Sequence, residues 1–326
     1  MTRHAAEPTV RQLAPEHRLR RLELAVTRRL DGLLQGQHLG LLPGPGSEFA
    51  GSREYRPGED EVRWMDWAVT ARTTVPHVRE VDADRELTTW VLVDGTPSMD
   101  FGTAEVEKRE LAVAAVAAVG FLTAGSGNRL GAHVLRRDGV RRMPARQGRD
   151  HLLALLRDLL AAPRDEPGEP AGEDLAAAMD GLHRAALHRG LVVVVSDFLD
   201  AGDEDTAPPW ERALARLAAR HQVLVVEVAD PRELELPDVG LITLVDPETG
   251  VRREVSTGNR KLRERYAAAA HAQRDAVRAV LRRTGVTHLP LRTDRDWVAD
   301  IVRHVLAQRR LAAAAAPRNR TRGGRG

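Results

Sequence analysis

Leu87-Thr88-Thr89-Trp90-Val91-Leu92-Val93-Asp94-Gly95-Thr96-Pro97-Ser98-Met99-Asp100 is the stretch on which the reading of this chain turns. Leu87 to Val93 is apolar and β-branched, the pattern of a strand buried in a sheet. Asp94 ends the run, and Gly95 and Pro97 bend the chain behind it. One carboxylate and the hydroxyls of Thr96 and Ser98 are thereby delivered at the carboxyl end of a strand. Such hard oxygen donors suit Mg²⁺.

A second apolar run, Leu191 to Val195, ends in Ser196-Asp197. Helical patterns lie between and after the two runs, which predicts a doubly wound, mostly parallel α/β sheet with helices on both faces. Ligands of such sheets bind outside the carboxyl ends of the strands, where strand order reverses. If the first and fourth strands flank that point, Asp94 and Asp197 face each other there.

Asp94-x-Thr96-x-Ser98 with Asp197 resembles the metal-ion-dependent adhesion site of von Willebrand factor A domains, whose usual motif is Asp-x-Ser-x-Ser. Upstream, Glu48-Phe49, Arg53-Glu54-Tyr55, Arg56-Pro57-Gly58-Glu59-Asp60, Arg63, Asp66-Trp67 and Ala71-Arg72 resemble the hallmark of the bacterial family called domain of unknown function 58. That family joins the hallmark to a von Willebrand A-like, Rossmann-like domain with an antiparallel edge strand. The resemblance runs from about residue 20 to 200. It implies a Mg²⁺ or Mn²⁺ site at Asp94, Thr96, Ser98 and Asp197. A third loop usually adds a Thr in a Gly-Thr-Asp-Leu context; here Gly172-Glu173-Asp174-Leu175 puts Glu173 in its place. The alternative is that these residues only cap turns and bond neighbouring backbone. The resemblance further implies a non-enzymatic adaptor that links a MoxR-type AAA+ ATPase to its target protein.

Composition sets the outer bounds. The chain has 326 residues, 42% of them hydrophobic and 29% charged, as in soluble globular proteins. Aromatics are 3%, so Leu, Val and Ala must build the core. The absence of cysteine excludes disulfides, thiolate metal sites and Cys nucleophiles. No stretch approaches the ~18 apolar residues of a membrane span, and Met1 to Pro8 has no signal-peptide core; the expectation is a cytoplasmic protein without a membrane span. A net charge of +2 is too small to argue for specific nucleic-acid binding.

Three parts are expected: an amino-terminal helical and loop arm with the hallmark over residues 1–85, the sheet domain over 86–315, and a disordered basic tail over 316–326. In the arm, Arg53, Tyr55, Arg56, Asp60, Arg63, Asp66, Trp67 and Arg72 mix opposite charges with aromatics. They are read either as ion pairs that hold the arm to the sheet domain, or as a metal-independent docking surface, since Arg and Trp are favoured at interface hot spots. Burial of Tyr55, Trp64 and Trp67 against the sheet domain is the expectation. In the sheet domain, helices are predicted over 105–123, 149–162, 172–189, 210–220, 259–283 and 294–315. Strands are predicted over 130–135, 140–143, 191–196, 223–228, 241–245, 251–255 and 285–289, with Asp138-Gly139 as a type I′ hairpin turn. Enzyme readings find little support. Asp94-Gly95-Thr96 lacks the second Asp of a haloacid dehalogenase loop, and no Gly-x-Ser-x-Gly elbow or phosphate loop is present.

Overall fold

The computed structural model describes residues 52–56, 62, 65–79, 87–104, 106–123, 127–164, 172–199, 207–247 and 249–315. Expectations for the remaining residues, among them Asp60, Arg63, Trp64 and the basic tail, lie outside that set.

Six strands form the main sheet: β3 (Thr88–Asp94), β4 (Arg129–Arg136), β5 (Gly139–Arg146), β6 (Leu191–Ser196), β7 (Gln222–Ala229) and β10 (Thr287–Arg292). Their order is β10-β7-β6-β3-β4-β5, and all neighbours are parallel except β4 and β5. Numbered by their succession within this sheet and read from the β5 edge, that is 3-2-1-4-5-6. The reversal falls between β3 and β6, where the sequence places Asp94 and Asp197. Every residue of β6, Leu-Val-Val-Val-Val-Ser, is buried, which is why this strand reads as an unbroken apolar run.

Alternate side chains feed two cores. Val91, Val93, Val193, Val195, Leu224 and Val226 pack under α2 (Lys108–Thr123), α3 (Arg149–Ala161) and α8 (Trp297–Ala315). Leu92, Leu135, Val192, Val194, Val223 and Val225 pack under α4 (Leu175–Ala185), α5 (Glu211–Arg220) and α7 (Arg260–Arg283). α2 is Ala- and Val-rich and buried almost all round, because it lies across the middle of one face. A four-residue helix, α6 (Pro231–Leu234), follows β7 and is closed by a capping box on Asp230. No helix among the described residues is long and apolar enough to cross a membrane.

The structure departs from the expectations in local detail. β5 runs for eight residues instead of four. Its hairpin turns on Arg137-Asp138, because Arg136 pairs with Gly139. Only Gly139 takes a positive φ, of 117°, so the turn is not type I′, which needs two such residues. The 172–189 helix shrinks to Leu175–Ala185 because Asp174 caps it, accepting from the Ala177 amide at 2.7 Å. Leu241–Val245 (β8) and Arg252–Ser256 (β9) pair into a separate hairpin, as expected.

The described part of the arm is an antiparallel pair, β1 (Ser52–Glu54) and β2 (His77–Arg79), with α1 (Trp67–Thr73) between them. Asp66 is buried and caps α1 through the Val69 amide at 3.1 Å. The expected burial of Trp67 is corrected: it opens α1 on the outer side and is 65% exposed. Tyr55 is half-buried.

Trp210, just before α5, is fully buried and stacks edge-on against Phe198 at 5.0 Å between ring centroids. Trp210→Ala is expected to lower unfolding free energy by about 3–5 kcal/mol in urea titrations. His133 on β4 is buried against Trp90. Burial, with the Arg142 charge second, lowers its pKa from 6.5 to about 4. The unfolded chain therefore binds a proton that the folded chain refuses as pH falls from 6.5 toward 4, and stability is lost across that window. The loss is on the order of 3 kcal/mol at full effect. Unfolding free energies measured against pH should show a slope smaller by up to one proton in His133→Gln than in the wild type.

Candidate functional site

The chain turns sharply after β3. Gly95 donates its amide to the Leu135 carbonyl at 2.9 Å, and a Cβ at this position would stand 2.9 Å from the same oxygen. Only glycine lets the turn lie this close to β4. The turn brings the motif residues together. Asp94 Oδ1 accepts from the Thr96 amide at 3.1 Å and from Thr96 Oγ1 at 2.7 Å, and Thr96 Oγ1 lies 3.2 Å from Ser98 Oγ. Pro97–Asp100 closes as a 3₁₀ turn that buries Ser98. From β6, Ser196 Oγ donates to Asp94 Oδ2 at 2.6 Å and accepts from the Phe198 amide at 3.0 Å. Both carboxylate oxygens of Asp94 are thus engaged.

Asp197 sits directly behind Ser196. Its Oδ1 accepts from the Leu199 amide at 3.2 Å, and the Ser98 hydroxyl bonds to the same carboxylate. Asp94, Thr96, Ser98 and Asp197 therefore form one cluster across the β3–β6 switch point. Phe198 takes a positive φ of 54°, rare for a bulky residue. That strained step turns the chain out of β6 and leaves Asp197 pointing back into the protein.

The partner that Asp197 meets there is a cation. Lys108, the first residue of α2, has no exposed surface, and its Nζ lies 2.7 Å from Asp197 Oδ2. The same ammonium bonds to Glu233 of α6. Arg274, from α7, adds a second layer. Its Nη1 reaches the Asp197 carbonyl at 2.7 Å and Glu227 Oε1 at 3.0 Å, and its Nη2 reaches Glu233 Oε2 at 3.1 Å. Burial alone would push the Asp197 carboxyl up, but the Lys108 charge and hydrogen bond outweigh it and hold Asp197 below the usual carboxylate range. Lys108 shows the counterpart: burial opposes its charge, Asp197 and Glu233 outweigh burial, and its pKa rises. Asp94 contacts hydroxyls and an amide, and burial, with the Asp197 charge second, raises its pKa.

Glu173 is half-buried beside the β4–β5 turn, where the neighbouring Gly172 amide donates to the Arg137 carbonyl at 3.0 Å. Among the described residues no hydrogen bond or ion pair joins Glu173 to the cluster. Of the hallmark, Arg53 lies in β1 opposite Val78, the Tyr55 amide donates to Pro76, and Arg56 and Arg72 face solvent.

Residues 51–276 match the family described as "Protein of unknown function DUF58". This chain belongs to the DUF58 family. An uncharacterized protein from Mycobacterium tuberculosis is 54% identical over 298 residues, covering 91% of this chain and 90% of its own. One from Mycobacterium avium is 47% identical over 173 residues, covering 53% of this chain and 97% of its own. Among solved structures, the conserved hypothetical protein BatB from Bacteroides thetaiotaomicron is similar with a TM-score of 0.41 and 16% identity, over 70% of this chain and 100% of that one. A von Willebrand factor type A protein from Catenulispora acidiphila is similar with a TM-score of 0.37 and 12% identity, over 72% of this chain and 43% of that one. The strand order, the antiparallel edge and the two helix layers are those of the von Willebrand A-like architecture that the hallmark implied.

The donor set of this DUF58 chain does not fit a resident Mg²⁺ or Mn²⁺. Asp197 already holds an ammonium inside the protein. An ion sharing Asp197 would stand within a few Å of that charge, where each pair of unit charges at 4 Å repels by about 4 kcal/mol. Sequence reasoning missed Lys108, Ser196, Glu233 and Arg274. Position 196 alone left a signal, a polar residue inside an apolar strand. Ser196→Ala is expected to cost about 1–3 kcal/mol in unfolding free energy, because it strips a donor from buried Asp94 and leaves the Phe198 amide without an acceptor.

Proposed function

We propose that this chain is a non-enzymatic interaction module that docks a partner protein on the loops at the carboxyl edge of its main sheet. The observation that carries the reading is the chemistry of the switch point. Its carboxylates are turned inward and bound to hydroxyls, amides and cations of the chain itself, which leaves neither as a free nucleophile or base. Among the described residues the rim presents Thr96, half-buried, and Phe101, 41% exposed. α/β sheets place their ligands at this edge, and an exposed ring beside hydroxyls suits a protein surface. The family resemblance supplies the partner: a MoxR-type AAA+ ATPase, which the module would connect to its target protein.

A second surface is favoured by one observation. Trp67 is exposed on the arm with Arg56 and Arg72 also facing solvent, and Trp and Arg are enriched at interface hot spots. The two surfaces are separable by capture of the purified ATPase on the immobilised full chain. Phe101→Asp should weaken capture at least tenfold while Trp67→Ala leaves it unchanged. The reverse pattern assigns the contact to the arm, and an unchanged result for both variants removes the rim reading and the arm reading together.

A further inference from the structure

We propose that Lys108 is the built-in cation of the switch-point site, so that the rim is assembled by an internal ammonium and without a divalent ion. The inference concerns the same site as the docking reading but not the partner's identity. A failed capture would sink that reading and leave the present one to the metal titration below.

The position of the lysine is the first argument. Lys108 opens a 16-residue helix, where the positive end of the helix dipole disfavours a cation. Its side chain nevertheless has 0% exposure. Only carboxylates can offset that placement. Two supply it from separate elements, Asp197 behind β6 and Glu233 on α6. A lysine held only as packing would have its ammonium at the surface, as long cationic side chains normally do.

The second argument is the local supply of charge. Asp94 and Asp197 lie on neighbouring strands and repel each other. Two buried carboxylates at such a spacing require a cation, a shared proton or separation. Here the cation comes from the chain. Glu233 is anchored for the purpose: its other oxygen accepts from the Asp230 amide at 3.0 Å and from Arg274 at 3.1 Å. Asp230 in turn is buried and bonded to Thr103 Oγ1 at 2.6 Å and Thr293 Oγ1 at 2.7 Å. α6 therefore acts as a bracket that presents Glu233 to Lys108.

Mn²⁺ uptake by the full-length chain, read from the loss of the free-ion electron paramagnetic resonance signal, tests this directly. Melting temperatures in EDTA and in Mg²⁺ give a parallel readout. Wild type is expected to take up no more Mn²⁺ than Asp94→Asn and to melt at the same temperature in both buffers. Lys108→Met, which keeps the length and removes the charge, should melt on the order of 10 °C lower. It should also gain Mn²⁺ affinity at least tenfold and recover part of the loss when Mg²⁺ is added, whereas Lys108→Arg should gain no metal. One Mn²⁺ bound by wild type and lost in Asp94→Asn overturns the proposal, and so does a folded Lys108→Met that takes up no more metal than wild type. If Lys108→Met does not fold, the comparison of wild type with Asp94→Asn decides alone.

Discussion

An ammonium with no exposed surface, bridging Asp197 and Glu233, holds together the carboxyl edge of the sheet. A charge this far from water is tolerated only when its partners satisfy it with good geometry, because taking it out of water costs several kcal/mol. Those partners come from two places, the end of β6 and the short helix α6 after β7, and they meet at the first residue of α2. The pairs therefore fix how the central helix sits over the strands, and they fix the loop that carries Asp197. Arg274 repeats the device from the opposite helix layer, bonding Glu227, Glu233 and the Asp197 carbonyl. One cation thus comes from each face of the sheet, and both end on the same acidic cluster.

This arrangement separates two roles that a shared motif can play. Asp94, Thr96 and Ser98 are assembled as an oxygen-rich turn, and their bonds run among themselves and to Ser196. Asp197 is directed away from solvent by the positive φ of Phe198 and by the Phe198–Trp210 stack behind it. Burial first and the Asp197 charge second raise the Asp94 pKa, yet only Asp197 touches a cation. Among the described rim residues, Thr96 is half-buried and Phe101 is exposed.

The arm follows a different logic. Its two short strands and short capped helix bury Val78 and Asp66 but leave Trp67 outside. Aromatic content alone does not fix burial, because the first residue of a helix can face either way and the cap at Asp66 decides which.

By itself, the sequence determined the sheet: unbroken apolar runs of β-branched residues require burial on both faces, and helical periodicity between them requires parallel strands wound on both sides. It also determined that Asp94 and Asp197 meet, since both sit at the carboxyl ends of strands next to the reversal. Composition without cysteine, and without nucleophile motifs, likewise spoke before any coordinates. Tertiary structure alone decided what each carboxylate meets. Lys108 reads as an ordinary solvated charge at a helix start, and Glu233 and Arg274 stand 125 and 166 residues further on. Charge pairing across such separations depends on distances of 2.7 to 3.1 Å, and periodicity, which reports only which face a residue shares with its neighbours, carries no information about them.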